Sequence, residues 1–264
     1  MVPDCSFDGC SSCGVCGPDL GHNRVVPPPP VPPLSHGGQP PSHRVSRLRC
    51  RFAKTGSLAL ISHLDTLRLL ERALRRSELP VSFSGGFHPL PRMQLGLPLP
   101  LGAEGCGEWM DLEFAQPVDP AAVRRRLQLE LPRDFELESV VAVPVHGPSL
   151  SQELVAARWR IELLQEGQAL ASETMTMAIT RLLEAEELIW HDRDKKGRPR
   201  QRDCRPYLRD LDRMASGEVA FEAAIDSLGR SLRPEHLQHW LSEASGEALV
   251  LGRVSRQELL LRPC

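Results

Sequence analysis

The sequence predicts an α+β fold of two split β-α-β units packed together, preceded by a tail that builds no core. Three observations predict it. Segments with a two-residue and a 3.6-residue hydrophobic period alternate in the order β-α-β-β-α-β over residues 45–146. The second half repeats a variation on that plan. Ahead of both, four of the eight cysteines crowd into residues 5–16, and eight prolines follow between Pro27 and Pro41.

Taken in order, "SRLRCRFAKTG" alternates with Leu48, Cys50 and Phe52 on one side, which predicts a strand. "ISHLDTLRLLERALRRSEL" predicts a helix, with Ser62 as N-cap and Asp65 three residues on. Leu64, Leu67, Leu70 and Leu74 are expected on one face, and Arg68, Arg72, Arg75 and Arg76 mostly on the other. "SGGFHPLPRMQLGLPLPLG" reads as a loop leading into a strand. In "GEWMDLEFAQ", Trp109, Asp111 and Glu113 oppose Met110, Leu112 and Phe114, a strand pattern. "DPAAVRRRLQLEL" predicts a helix with Asp119 at the N-cap and Pro120 first, and "FELESVVAVPV" another strand.

In the second half, "ARWRIELLQ", "GEVAFEAAID" and "ALVLGRVSRQELLL" read as strands. "ASETMTMAITRLLEAEEL" and "LRPEHLQHWLSEA" read as helices, and "DRDKKGRPRQRDCRPYLRDL" as a basic hairpin tip. The resulting division is a Cys-rich tail at 1–17, a Pro-rich linker at 18–43, and two ferredoxin-like units at 44–148 and 149–264.

Composition narrows the function. No apolar run reaches the roughly 18–20 residues of a membrane span, and no signal-peptide pattern opens the chain. A cytoplasmic protein is expected, whose clustered cysteines stay reduced. The net charge of −2 conceals segregation. Residues 43–98 hold ten basic and three acidic residues, 99–155 four and ten, and 193–213 nine and four. Separated charge suits an anionic partner such as RNA; the alternative is solvated helix faces.

Cys5, Cys10, Cys13 and Cys16 are spaced C-x4-C-x2-C-x2-C. Three thiolates on one tight loop suit a [4Fe-4S] cluster, and four suit structural zinc. Both metals stay open, beside idle thiols. No C-x3-C-x2-C loop occurs, so no S-adenosylmethionine site is expected in this chain.

The strings "SHLD", "SGGFHPLPRM" and "LPLPLGAEGCGEWMDLE", with "RDCRPYLRDL" and "SLRPEHL" further on, carry a family resemblance. Residues 45–262 resemble the radical-SAM-linked proteins of the DUF2344 family, and "DCSFDGCSSCGVCG" resembles the C-terminal tail of the partner radical SAM protein. The resemblance implies a radical SAM partner, often with a ribonuclease E/G gene nearby. It supplies no reaction.

The expectation that follows is an accessory protein that binds RNA, transfer or ribosomal, and presents it to the partner enzyme. Arg68, Arg72, Arg92, Lys195, Lys196, Arg198, Arg200 and Arg202 are the expected phosphate contacts. Two alternatives stand beside it. One is a metal-independent endoribonuclease with His63 or His88 as general base, by analogy with ferredoxin-like RNA-processing proteins. The other is a protein–protein adaptor.

Overall fold

Strand β1 (Ser46–Lys54) forms where expected, with Leu48, Cys50 and Phe52 in the core but Arg47 and Arg49 buried as well. It is flanked on both sides, pairing antiparallel with β3 (Ala103–Phe114) and β4 (Phe135–Val143). The computed structural model describes residues 40–169, 171–193 and 196–263. Cys5, Cys10, Cys13, Cys16, the linker before Pro40, and Lys195 lie outside the described residues.

Helix α1 (His63–Arg76) starts where the sequence predicts. Ser62 Oγ accepts from Asp65 N–H at 3.1 Å. Its buried stripe runs through Thr66, Leu70, Ala73 and Leu74, while Leu64 is 63% exposed. At 100° per residue Leu64 stands about 200° from Thr66, so it cannot share that face, contrary to the expected leucine stripe. The three-residue strand β2 (Met93–Leu95) pairs with the C-terminal part of β3. Helix α2 (Pro120–Glu130) is capped by Asp119, whose carboxylate accepts from Ala121 and Ala122 N–H.

After the one-turn α3 (Leu150–Glu153) come β5 (Leu154–Gln165), the short β6 (Gln168–Ala169) and helix α4 (Ser172–Glu184). Among the described residues, strands β7 (Ile189–Arg193) and β8 (Pro199–Asp203) pair only with each other, as the predicted basic hairpin. Then follow β9 (Leu208–Arg213), β10 (Val219–Ala224), α5 (Pro234–Ser245) and β11 (Val250–Leu261).

The result is a mixed α+β fold with one large, mostly antiparallel sheet. Its order is β4-β1-β3-β11-β5-β10-β9, with β2 and β6 attached to β3 and β5. Each half has its fourth main strand beside its first, then its third, then its second: β4-β1-β3-β2 and β11-β5-β10-β9. The halves meet edge to edge where β11 runs parallel to the start of β3, with Val254 opposite Ala103 and Arg256 opposite Gly105. Gly107 sits at this junction. A Cβ there would lie 2.7 Å from the Gln257 carbonyl, so the close approach requires glycine.

Each half has its own apolar core. The first gathers Leu48, Phe52, Leu70, Met110, Phe114 and Phe135, with Phe52 and Phe135 stacked at 4.6 Å. The second gathers Trp159, Ile161, Met175, Phe221, Leu237 and Trp240. Burying such side chains is the dominant favourable term in folding. Charged groups cross the sheet as well. The buried Asp111 takes both ends of the Arg49 guanidinium, and Glu153 binds that guanidinium from α3. Asp111 faces burial that the alternation alone would not require, and its arginine partner keeps that burial tolerable.

Candidate functional site

A concavity of about 760 Å³ lies in the second half against the segment 97–100. Five pieces of chain wall it. β5 and β11 give Ala157, Trp159 and Arg256. The β7–β8 hairpin gives Trp190, Asp192, Arg200 and Arg202. The turn 229–233 and the start of α5 give Arg230, Arg233, Glu235 and His236, and "LPLP" closes the remaining side.

Arg256 anchors that last wall. Its Nε and Nη2 donate to the two carboxylate oxygens of Glu108 at 2.7 and 2.6 Å. Nη2 also donates to the Leu97 carbonyl at 2.7 Å. The guanidinium lies 5.1 Å from the Trp159 ring. Both partners of the pair are buried, at 2% and 4% exposure, so this cation is spent on structure.

The other arginines differ in how they are engaged. Arg200 holds Asp192 through two bonds, 2.9 and 2.7 Å. Arg230 holds Asp226 at 2.7 Å. Asp226 also accepts from Tyr207 Oη and from backbone N–H groups. Burial pushes its carboxyl pKa up, but these bonds outweigh that and hold it at about 2. Arg202 and Arg233 have no carboxylate partner among the described residues, and the Arg202 Nε is buried without a hydrogen-bond partner.

His236 lies between them. Its ring packs 4.3 Å from Trp190, and its Nδ1 accepts from the Arg233 backbone N–H at 3.3 Å. Burial, then the charges of Arg202 and Arg233, depress its pKa to about 4. The imidazole is therefore neutral near pH 7, and the surrounding field is positive.

The other expected residues are dispersed. His63 opens α1 and lines a small cavity of about 20 Å³ with Lys54, Thr66 and Glu108. Burial, then the charges of Lys54 and Arg256, lower its pKa. Lys54 is itself tied to the Leu58 and Ile61 carbonyls. Such a space holds about one water, not a ribose and phosphate. His88 is exposed in the loop closed by the Ser84 N–H to Leu90 carbonyl bond. Arg68 pairs with Asp65, and Arg72 is exposed on α1. Arg92 lines a separate hollow of about 530 Å³ with Arg47 and Asp111. Lys196 and Arg198 are exposed beyond β7. Of the expected phosphate contacts among the described residues, only Arg200 and Arg202 reach the large hollow.

Sequence reading missed Trp190, Arg230, Arg233, His236 and Arg256 as site residues. Arg233 and His236 stand in the string "SLRPEHL" and Arg230 directly before it, so a signal for these three lay there; Trp190 and Arg256 lie in neither quoted string.

A family model described as an uncharacterized protein conserved in bacteria (DUF2344) matches residues 47–242. No curated protein matches the chain in sequence. Among solved structures, a chain from the crystal structure of a Cbf5-Nop10-Gar1 complex is 13% identical, with a TM-score of 0.43. The match covers 79% of this chain and 47% of that one, so the chain spans about half the length of the solved chain it matches. No helix among the described residues is long and apolar enough to cross a membrane.

Proposed function

The chain belongs to the DUF2344 family, and we propose that it is an RNA-binding accessory protein that engages RNA through the large hollow and the β7–β8 hairpin. One observation carries this reading. Five arginines and the half-buried Trp190 converge on one concavity, and two of those arginines, Arg202 and Arg233, lack carboxylate partners there. Guanidinium forks suit phosphate oxygens, and an aromatic ring offers a stacking face to any base. We read the two halves, 44–148 and 149–264, as ferredoxin-like units, supported by the repeated strand order.

The cavity beside His63 is too small for a ribose and phosphate, which disfavours the endoribonuclease alternative at that residue. Presentation of the RNA to a radical SAM partner rests on the sequence resemblance alone, and a metal at Cys5, Cys10, Cys13 and Cys16 rests on their spacing alone. Co-purification from the native host tests the partner. Anaerobic purification with iron, sulfide and zinc analysis tests the metal.

RNA binding is tested by fluorescence anisotropy over a salt series. A single-stranded RNA is expected to bind with log K falling by about 0.7 per log salt for each phosphate neutralised. Arg233→Gln should weaken binding and reduce that slope by roughly one contact. A slope near zero, or no RNA bound at low salt, overturns the reading.

A further inference from the structure

The walls of the hollow also indicate what unit of nucleic acid it takes. We infer that it binds one nucleoside 5′-monophosphate unit, with the phosphate on Arg202 and Arg233 at the start of α5 and the base against Trp190. The inference deepens the RNA-binding reading and rests on it.

The anionic end is defined by three features at one wall. Arg233 is the N-cap of α5, a twelve-residue helix, so the positive end of the helix dipole faces the same space. Arg202 reaches that wall from β8. His236 is neutral there, with Nδ1 occupied as an acceptor, which leaves Nε2–H as a further donor. An anion meeting two guanidiniums, an N–H and a helix start displaces no carboxylate from either arginine. The same anion at Arg200, Arg230 or Arg256 would have to break an existing ion pair.

The apolar end is equally specific. Trp190 is held by His236 at 4.3 Å and, edge-on, by Trp240 at 6.2 Å, yet its ring still lines the hollow. A pre-positioned ring loses little freedom when a base stacks on it. Glu235 stands on the same rim and offers an acceptor for a ribose hydroxyl or an exocyclic amine. The volume, about 760 Å³, falls within the roughly 300–1,000 Å³ of small-ligand sites.

A free nucleotide and a nucleotide everted from an RNA chain share this chemistry, and one experiment separates them. The full chain is titrated by isothermal calorimetry with AMP, adenosine and inorganic phosphate, and by anisotropy with an octameric oligoadenylate. AMP should bind, with adenosine and phosphate each weaker by roughly tenfold or more, the worth of one charge-assisted contact or one stacked base. Arg233→Gln should weaken AMP by about tenfold and leave adenosine unchanged. Trp190→Leu should weaken AMP and adenosine alike. Because Arg233 is exposed, its variant keeps the test valid even if Trp190→Leu fails to fold.

Adenosine binding as tightly as AMP, or AMP binding indifferent to Arg233→Gln, overturns the inference. If the octamer binds with a normal salt slope while AMP does not bind, the inference fails and the RNA reading stands. If AMP binds and the octamer does not, the hollow is a free-nucleotide site and the RNA reading fails.

Discussion

Glu108→Gln isolates what holds the hollow open. Glu108 and Arg256 form a bidentate pair at 2.7 and 2.6 Å, almost wholly out of water. Removing one member of such a pair strands the other, at a cost of about 3–5 kcal/mol. Glutamine keeps one acceptor oxygen, and Arg256 keeps its bond to the Leu97 carbonyl and its place over Trp159. The expected loss is therefore near the low end, about 3 kcal/mol. Lys54 adds to it, because Glu108 is the anion that favours its charged form against burial. At roughly 2–4 °C per kcal/mol for a domain of this size, Tm should fall by about 6–12 °C. Urea unfolding followed by circular dichroism should show a lower midpoint with unchanged slope. The double variant Glu108→Leu/Arg256→Met removes both charges together. It should lose less than the two single variants combined, because neither leaves a buried charge. A Glu108→Gln protein within 0.5 kcal/mol of the parent, or strictly additive singles, would refute this account of the pair.

Three further outcomes follow from named contacts. Ser62→Ala removes the acceptor for the Asp65 N–H and should cost about 1 kcal/mol in the same urea assay. Gly107→Ala places a Cβ 2.7 Å from the Gln257 carbonyl, a backbone atom with no rotamer to escape into, and should destabilise by about 1–3 kcal/mol. His236 has a folded pKa of about 4, below its ordinary value near 6.5, so the unfolded chain takes up the proton first as pH falls. Its contribution is intact above about pH 6.5 and is lost progressively towards pH 4, at roughly 1.4 kcal/mol per unit; urea midpoints from pH 7.5 to 4 should show this loss, and His236→Gln should flatten it.

What the sequence made legible is what neighbouring residues decide. Ser62 and Asp119 announce their helices because a cap needs only the next two or three backbone N–H groups. Met110, Leu112 and Phe114 announce β3 because alternation is a property of the strand itself. The junction of β3 with β11 has no such signal. It pairs residues about 150 apart, in parallel, and any partner of suitable pattern would satisfy either strand locally. The same distance hides the site. Glu108 and Arg256 are 148 residues apart, and Arg256 occupies a strand position that periodicity assigns no special role. The sequence reading therefore placed the phosphate contacts on charge runs. Of those, Arg68 pairs with Asp65 on its own helix, and Arg92 turns into a different hollow.

Local charge density and available charge are thus different quantities here. The stretch 193–213 is dense in arginine, but Arg200 is engaged with Asp192, and Arg205 is bonded to the Leu183, Ala185 and Leu208 carbonyls. These groups fasten the hairpin and the following turn. Arg202 and Arg233 come from separate elements and lack the carboxylate partners found beside their neighbours. Keeping two such guanidiniums around a neutral histidine costs self-repulsion in the unliganded protein. A bound phosphate relieves that repulsion, so binding and stability should be coupled at this wall: Arg233→Gln is expected to leave stability unchanged or raise it while it weakens the anionic ligand.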